Sequence, residues 1–178
     1  MINKNMLEFK NWIINESYSY SCVMATVDYD HILTWSKKHI SEKDLYYKEN
    51  KSGYETEPHI TVLYGLHTTN ADEIKELLKD EGKFDIKFGK VSKFKNDDYD
   101  VLKIEVESDK LRKLNDKLKT LKYTSTYNSY KPHCTLAYVK KNTCENLIGN
   151  KEFFGKKIDI KELVFSPSNG DSLKIKLK

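Results

Sequence analysis

Arginine is almost missing from this chain: Arg112 stands alone among 31 Lys and Arg residues. Rigid, paired phosphate contacts of the kind that grip a nucleic-acid duplex draw on arginine's planar fork, whereas lysine supplies a mobile point charge. With a net charge of only +4 over 178 residues, the composition argues against a dedicated duplex-DNA reader and suits the steering of a small phosphorylated ligand. Cysteine is scarce too. Cys22, Cys134 and Cys144 are odd in number and match no zinc spacing, so a reducing cytoplasm is the expected compartment. No apolar run approaches the roughly 20 residues that cross a bilayer, and the opening stretch 1–16 is polar-rich and amphipathic, unlike a secretory leader. A Gly/Pro/Ser-rich linker, a low-complexity tract and the G-x-S-x-G of a serine nucleophile are all missing. The expectation is one domain over residues 1–178, with no membrane and no obligatory protein partner. Its 38% hydrophobic and 12% aromatic content is enough for a single core.

What the chain does contain is an alternation of short strand-like and helix-like stretches, which predicts an α+β fold. "SCVMATV" (21–27) reads as a strand and "DHILTWSKKHI" as a helix; a polar stretch from Ser41 to Thr56 leads to the strand "HITVLYGL". Asn70, with Glu73 three residues on, predicts the N-terminal cap of a helix over "ADEIKELLKD". "FDIKFGKVSKF" and "YDVLKIEVES" read as paired strands across the turn "KNDD". "DKLRKLNDKLKTL" predicts an amphipathic helix with Leu111, Leu114, Leu118 and Leu121 on one face. The strand "HCTLAYV", a short helix near "CENLIG", one strand over "KIDIKELVF" and a final strand "LKIKLK" complete the chain.

"EPHITVLYG" (57–65) and "KPHCTLAYV" (131–139) share proline, histidine, threonine and tyrosine in one register, and the offset that aligns them also lays Asp85-Ile86-Lys87 on Asp159-Ile160-Lys161. Such a repeat predicts a duplication folded as two pseudo-symmetric lobes, an N-terminal one with His59 and a C-terminal one with His133, whose histidine strands lie side by side. Alternate strand residues share a face, so His59 and Thr61 project together, as do His133 and Thr135. The same alternation assigns Ile60, Val62 and Tyr64, and Cys134, Leu136 and Tyr138, to the opposite, core-packed face. Pro58 and Pro132 cannot donate a ladder hydrogen bond and mark strand starts. Two imidazoles and two hydroxyls converging on one cavity suit a phosphate, one histidine taking a proton from the attacking oxygen and the other giving one to the leaving oxygen.

These two H-x-T motifs, His59-Ile60-Thr61 and His133-Cys134-Thr135, resemble the 2H phosphoesterases, and the order of elements is compatible with that family from about Tyr18 onward. The resemblance implies a bilobed fold with mainly antiparallel sheets lining a central cleft. It also implies phosphodiester cleavage by the histidine pair, without metal or cofactor, with Thr61 and Thr135 holding phosphate oxygens. "GYETEPHITVLYGLH" with "SYSCVMATV" is most similar to phage nucleases that degrade the cyclic oligonucleotide messengers of CBASS, a bacterial antiphage defence.

A lone H-x-T is a weak signal, and a strand histidine is usually structural; two proline-preceded copies in one period shift the reading to a catalytic pair. His31, His39 and His67 have no such partners. Cys134 is expected in the core, pointing away from His133. For base stacking the candidates are Tyr20, in "SYSYS" (17–21), and Tyr130, in "YTSTYNSYK" (123–131); Lys131 is a candidate for an outer phosphate. Three functions stay open: a nuclease for cyclic di- or trinucleotides, an RNA-end enzyme opening 2′,3′-cyclic phosphates in the manner of LigT-like proteins, and a nucleotide-binding module without turnover.

Overall fold

Asn70 and Ser108 start helices for the same physical reason, because each offers a side-chain oxygen to backbone N–H groups that lack a partner in the first helical turn. Asn70 Oδ1 accepts from the amides of Asp72 and Glu73, and Ser108 Oγ from that of Leu111. These caps belong to α2 (Ala71–Leu78) and α3 (Asp109–Leu118), and α1 covers His31–His39. The structure is a computed structural model that describes residues 20–48, 51–125 and 129–178. The opening stretch 1–16, most of "SYSYS" and the centre of "YTSTYNSYK" lie outside them.

The strands are β1 (Ser21–Thr26), the short β2 (Tyr47–Lys48) and β3 (Lys51–Ser52), β4 (His59–Leu66), β5 (Phe84–Lys95), β6 (Tyr99–Glu107), β7 (His133–Lys140), β8 (Lys157–Ile160), β9 (Glu162–Ser166) and β10 (Leu173–Lys176). Two four-stranded sheets carry the fold, in the orders β10-β9-β1-β4 and β8-β5-β6-β7, with every pairing antiparallel. This is the expected α+β architecture of two equivalent lobes, and β4 and β7 lie against each other.

The lobes are not the two halves of the chain. β5 follows β4 in sequence yet pairs in the sheet of β7, and β9 follows β7 yet pairs in the sheet of β4. The first repeat thus gives β5 to the sheet of β7, and the second gives β9 and β10 to the sheet of β4. The stretch "KIDIKELVF", read as one strand, is split for this reason: β8 pairs with β5 and β9 with β1, with Lys161 at the crossing. Apolar phase marks the break, since Ile158 and Ile160 are two apart, whereas the next core residue after Ile160 is Leu163, three on.

A second departure from simple alternation decides what faces the site. Between β1 and β4, Met24 pairs with Thr61 but Val23 pairs with Leu63, so Val62 is an extra residue. Between β6 and β7, Lys103 pairs with Thr135 but Leu102 pairs with Ala137, so Leu136 is extra. Both bulges fall three residues after the motif histidine. A bulge reverses the side-chain alternation beyond it. Ile60, Val62, Cys134 and Leu136 are buried in the core as expected, but Leu63 and Ala137 take the next inward places. Tyr64 and Tyr138 are turned to the face of the threonines. Tyr64 there joins Cys22, Met24 and Val164 in a small cluster separate from the main core.

One continuous core collects residues from both four-stranded sheets and the three described α-helices, including Ile32 and Trp35 of α1, Ile74 and Leu78 of α2, and Leu111, Leu114 and Leu118 of α3. Leu121 lies beyond the end of α3 and packs against this core only partly buried. The polar stretch after α1 is more than a connection. It runs along the outer edge of β7, where Tyr46 donates to the Tyr138 carbonyl, Tyr138 to that of Gly53, and Glu55 to that of the bulge residue Leu136. An otherwise open strand edge is thereby covered. No described helix is long and apolar enough to cross a membrane.

Candidate active site

Each motif histidine is held by the same local device. His59 Nδ1 lies 2.9 Å from the carbonyl of Glu57, and His133 Nδ1 lies 2.8 Å from that of Lys131. A carbonyl only accepts, so Nδ1 carries the proton and Nε2 is the acceptor nitrogen of the neutral ring. In both cases the residue between acceptor and histidine is proline, whose fixed φ helps set the geometry. Thr61 and Thr135 stand two residues on, before the bulges, on the same face as their histidines. β4 lies against β7, and His59 is among the groups that act on His133, so the two motif strands bring their histidines near one another. Two surface depressions, at the C-terminal end of α1 and beside β10, contain none of these residues.

The carbonyls of the first bulge are satisfied from outside the sheet. Asn115, buried on α3, donates from Nδ2 to the Val62 carbonyl at 2.7 Å, and the Tyr130 hydroxyl donates to that of Thr61 at 3.0 Å. Tyr130, a candidate for stacking, therefore has its hydroxyl engaged between the two motifs, and burial pushes that hydroxyl's pKa well up.

The two histidines sit in opposite electrostatic surroundings. Glu55 is a buried carboxylate whose Oε1 accepts from the amides of Thr56 and Glu57, while Oε2 lies 3.9 Å from His59 Nδ1. That oxygen has no hydrogen-bond partner among the described residues. An imidazolium at His59 thus has an anion at its back. His133 has the reverse. Burial pushes it down to about 4, with the Lys103 ammonium and His59 adding to the effect against the pull of the Lys131 carbonyl. His133 therefore sits well below the ordinary imidazole pKa of about 6.5.

Aromatic rings cluster at both motif strands. Tyr20 stacks on His67 with centroids 5.0 Å apart and meets Tyr64 edge-on at 6.4 Å. On the other sheet Phe94 meets His133 edge-on at 4.8 Å, and Tyr138, Tyr99 and Tyr46 form a run with successive centroids 5.7 and 5.1 Å apart. Tyr64, Tyr138, Phe94, Glu55 and Lys103 escaped the sequence reading. The tyrosines were hidden by the bulges, and the other three lie outside both motifs.

The remaining candidates fall into place as follows. Lys131 is exposed, and its carbonyl holds His133. His31 pairs with Glu152, His39 stacks on Trp35, and His67 meets Thr124 Oγ1 at 2.8 Å. Cys134 is fully buried in the core, where burial raises its thiol pKa.

Comparison with known proteins identifies the fold and the family. No curated protein matches the sequence. Among solved structures, Usb1 from Kluyveromyces marxianus, bound to uridine monophosphate, is similar over 93% of this chain and 100% of its own at 10% identity and a TM-score of 0.57. E. coli LigT, complexed with 3′-AMP, is similar over 89% of this chain and 95% of its own at 15% identity and a TM-score of 0.52. A structure described as a phosphoesterase covers 89% at 13% identity and a TM-score of 0.56. At these identities the likeness is one of fold. A family model described as the 2′-5′ RNA ligase superfamily matches residues 35–165, which include both H-x-T motifs and well over half of the chain. The chain belongs to the 2′-5′ RNA ligase, or 2H phosphoesterase, superfamily, a superfamily of phosphodiesterases.

Proposed function

We propose that this protein cleaves 3′,5′-phosphodiester bonds in cyclic di- or trinucleotides. The observation that carries the proposal is the matched pair of imidazoles, each with Nδ1 tied to a carbonyl two residues back and a threonine two residues ahead, in unequal electrostatic settings. His133, kept neutral, accepts the proton of the ribose 2′-hydroxyl as that oxygen attacks phosphorus. His59, backed by Glu55, delivers a proton to the departing 5′-oxygen. Thr61 and Thr135 donate to the non-bridging oxygens as negative charge builds on them. The ribose itself holds the nucleophile within reach, so no separately activated water is required for this step. Its product is a linear nucleotide ending in a 2′,3′-cyclic phosphate.

The compact substrate is inferred from two features. Ring clusters at both motif strands suit a ligand with a base on either side of the scissile phosphate, and a single arginine is poor equipment for a long RNA track. Together with the sequence resemblance, this favours a phage protein acting in the host cytoplasm against CBASS signalling. The RNA-end reading is favoured by a different observation, the likeness to LigT complexed with 3′-AMP and to Usb1 with uridine monophosphate.

The test is a panel of cyclic oligonucleotides and RNA ending in a 2′,3′-cyclic phosphate, run with the native protein and with His59→Ala and His133→Ala, in excess chelator. The proposal expects cyclic nucleotides to be opened and each substitution to lower turnover by at least about a hundredfold. Cleavage confined to RNA ends would select the second reading. Binding without turnover of any substrate would leave a nucleotide-binding module.

A further inference from the structure

Lys103 is a lysine in a place that does not need one. Its side chain is 6% exposed, and it pairs across the sheet with Thr135, on the face that carries His133. The equivalent position in the other sheet, opposite Thr61, is Met24, which is 1% exposed and packs in a small apolar cluster. A methionine would therefore suit this kind of site, and burying an ammonium there carries a desolvation cost that a thioether avoids. Buried ammonium groups are ordinarily paired with a carboxylate. Here no described carboxylate lies within 4.0 Å of Nζ; it donates to Ser92 Oγ at 2.7 Å and sits 4.2 Å from the centroid of Phe94, the ring that also meets His133 edge-on.

We propose that Lys103 is a phosphate-binding residue of this site, a preset cation beside Thr135 whose missing counter-charge is supplied by the phosphate of the substrate. The idea deepens the reading above and rests on it for the reaction, though not for the binding of phosphate. The groups facing Lys103 are Ser92 and Phe94 of β5, Glu105 on its own strand, and Thr135 and His133 of β7, with Lys131 just before that strand. Burial first, then Lys131, lowers the proton affinity of Lys103, while Glu105 works in the opposite sense. Lys103 in turn helps to keep His133 neutral. One buried charge thereby does two things: it attracts the anion, and it disfavours protonation of the base.

The test compares native protein with Lys103→Met, which keeps the length of the side chain without its charge, and Lys103→Arg, which keeps the charge. Inorganic phosphate is the probe, titrated by NMR at the His133 ring resonance, and the same resonance is followed against pH without phosphate. The expected result has three parts. Lys103→Met weakens phosphate binding by roughly tenfold or more, the scale of a lost charge-assisted contact. It moves the His133 titration to higher pH, and it leaves the thermal midpoint unchanged or raised. Lys103→Arg keeps phosphate affinity within a few fold. Native-like phosphate binding with an unmoved His133 titration in Lys103→Met, or no phosphate binding by the native protein, would overturn the proposal. Turnover separates the two claims. If both histidine substitutions abolish cleavage while Lys103→Met cleaves and binds phosphate normally, the phosphodiesterase reading stands and the lysine falls. If Lys103→Met loses phosphate binding and the native protein cleaves nothing, the lysine stands and the reaction falls.

Discussion

His59 and His133 occupy matching positions in two copies of one motif, yet a carboxylate backs the first and an ammonium lies near the second. Duplication makes such a pair identical at the outset; an acid and a base require that it become unequal, and neighbours outside the motif supply the difference. The consequence is visible in pH. The proposed base, His133, works only when neutral, so the acid limb of kcat/KM belongs near its low value, at about pH 4, instead of near the ordinary pKa of about 6.5. Stability follows the same group. As pH falls through the window from about 6.5 to about 4, the unfolded chain binds a proton at this position before the folded protein does. Stability contributed by neutral His133 is therefore fully present above the window and is lost on the way down. Urea midpoints measured across it should fall with pH in the native protein and fall less in His133→Asn. Equal slopes would show that His133 titrates normally. The motif residues could be read from the chain, because H-x-T on a strand fixes which side chains project together. Glu55 and Lys103 could not, because each reaches the site across a sheet or along its edge.

At the level of elements, the bulges after Thr61 and Thr135 control which aromatic side chains share the face of the threonines. Strict alternation assigns Tyr64 and Tyr138 to the main core; one extra residue in each strand turns both to the opposite face, where Tyr138 is still buried and Tyr64 joins the small second cluster. An extra residue has no composition of its own, which is why these tyrosines were misplaced while Ile60, Val62, Cys134 and Leu136 were placed correctly. By contrast, the caps at Asn70 and the leucine face of α3 were legible, since local chemistry and helical period decide them. The first bulge depends on α3 through Asn115, a buried amide on a mostly apolar face. Asn115→Leu leaves the Val62 carbonyl buried without that donor. The expected cost is about 1–3 kcal/mol of stability, with turnover reduced beyond the loss of folded protein because Thr61 is next to the affected carbonyl. A denaturation curve and an active-site titration of the folded fraction check both parts. A variant as stable and as active as the native protein would show that the bulge holds without its brace.

For the molecule as a whole, the repeat was legible in the paired motifs but its interleaving was not. A strand that crosses between sheets looks the same in sequence as one that stays, apart from the phase slip at Lys161. Because each sheet takes strands from both repeats, neither half of the chain can complete one, and the two histidines are joined through a single core. That core holds the two motif strands together, and on the proposed mechanism a fixed pair of imidazoles across one phosphate is what an in-line transfer from a ribose hydroxyl requires. The most direct measurement of this account compares a ribose cyclic dinucleotide with the analogue whose 2′-hydroxyls are replaced by hydrogen, followed by mass spectrometry. The account predicts that the ribose form is opened to a linear product carrying a cyclic or simple phosphate at its 3′ side, while the deoxy form binds and is not cleaved. Efficient cleavage of the deoxy form, or a product with a 5′-phosphate and a free 3′-hydroxyl, would contradict it.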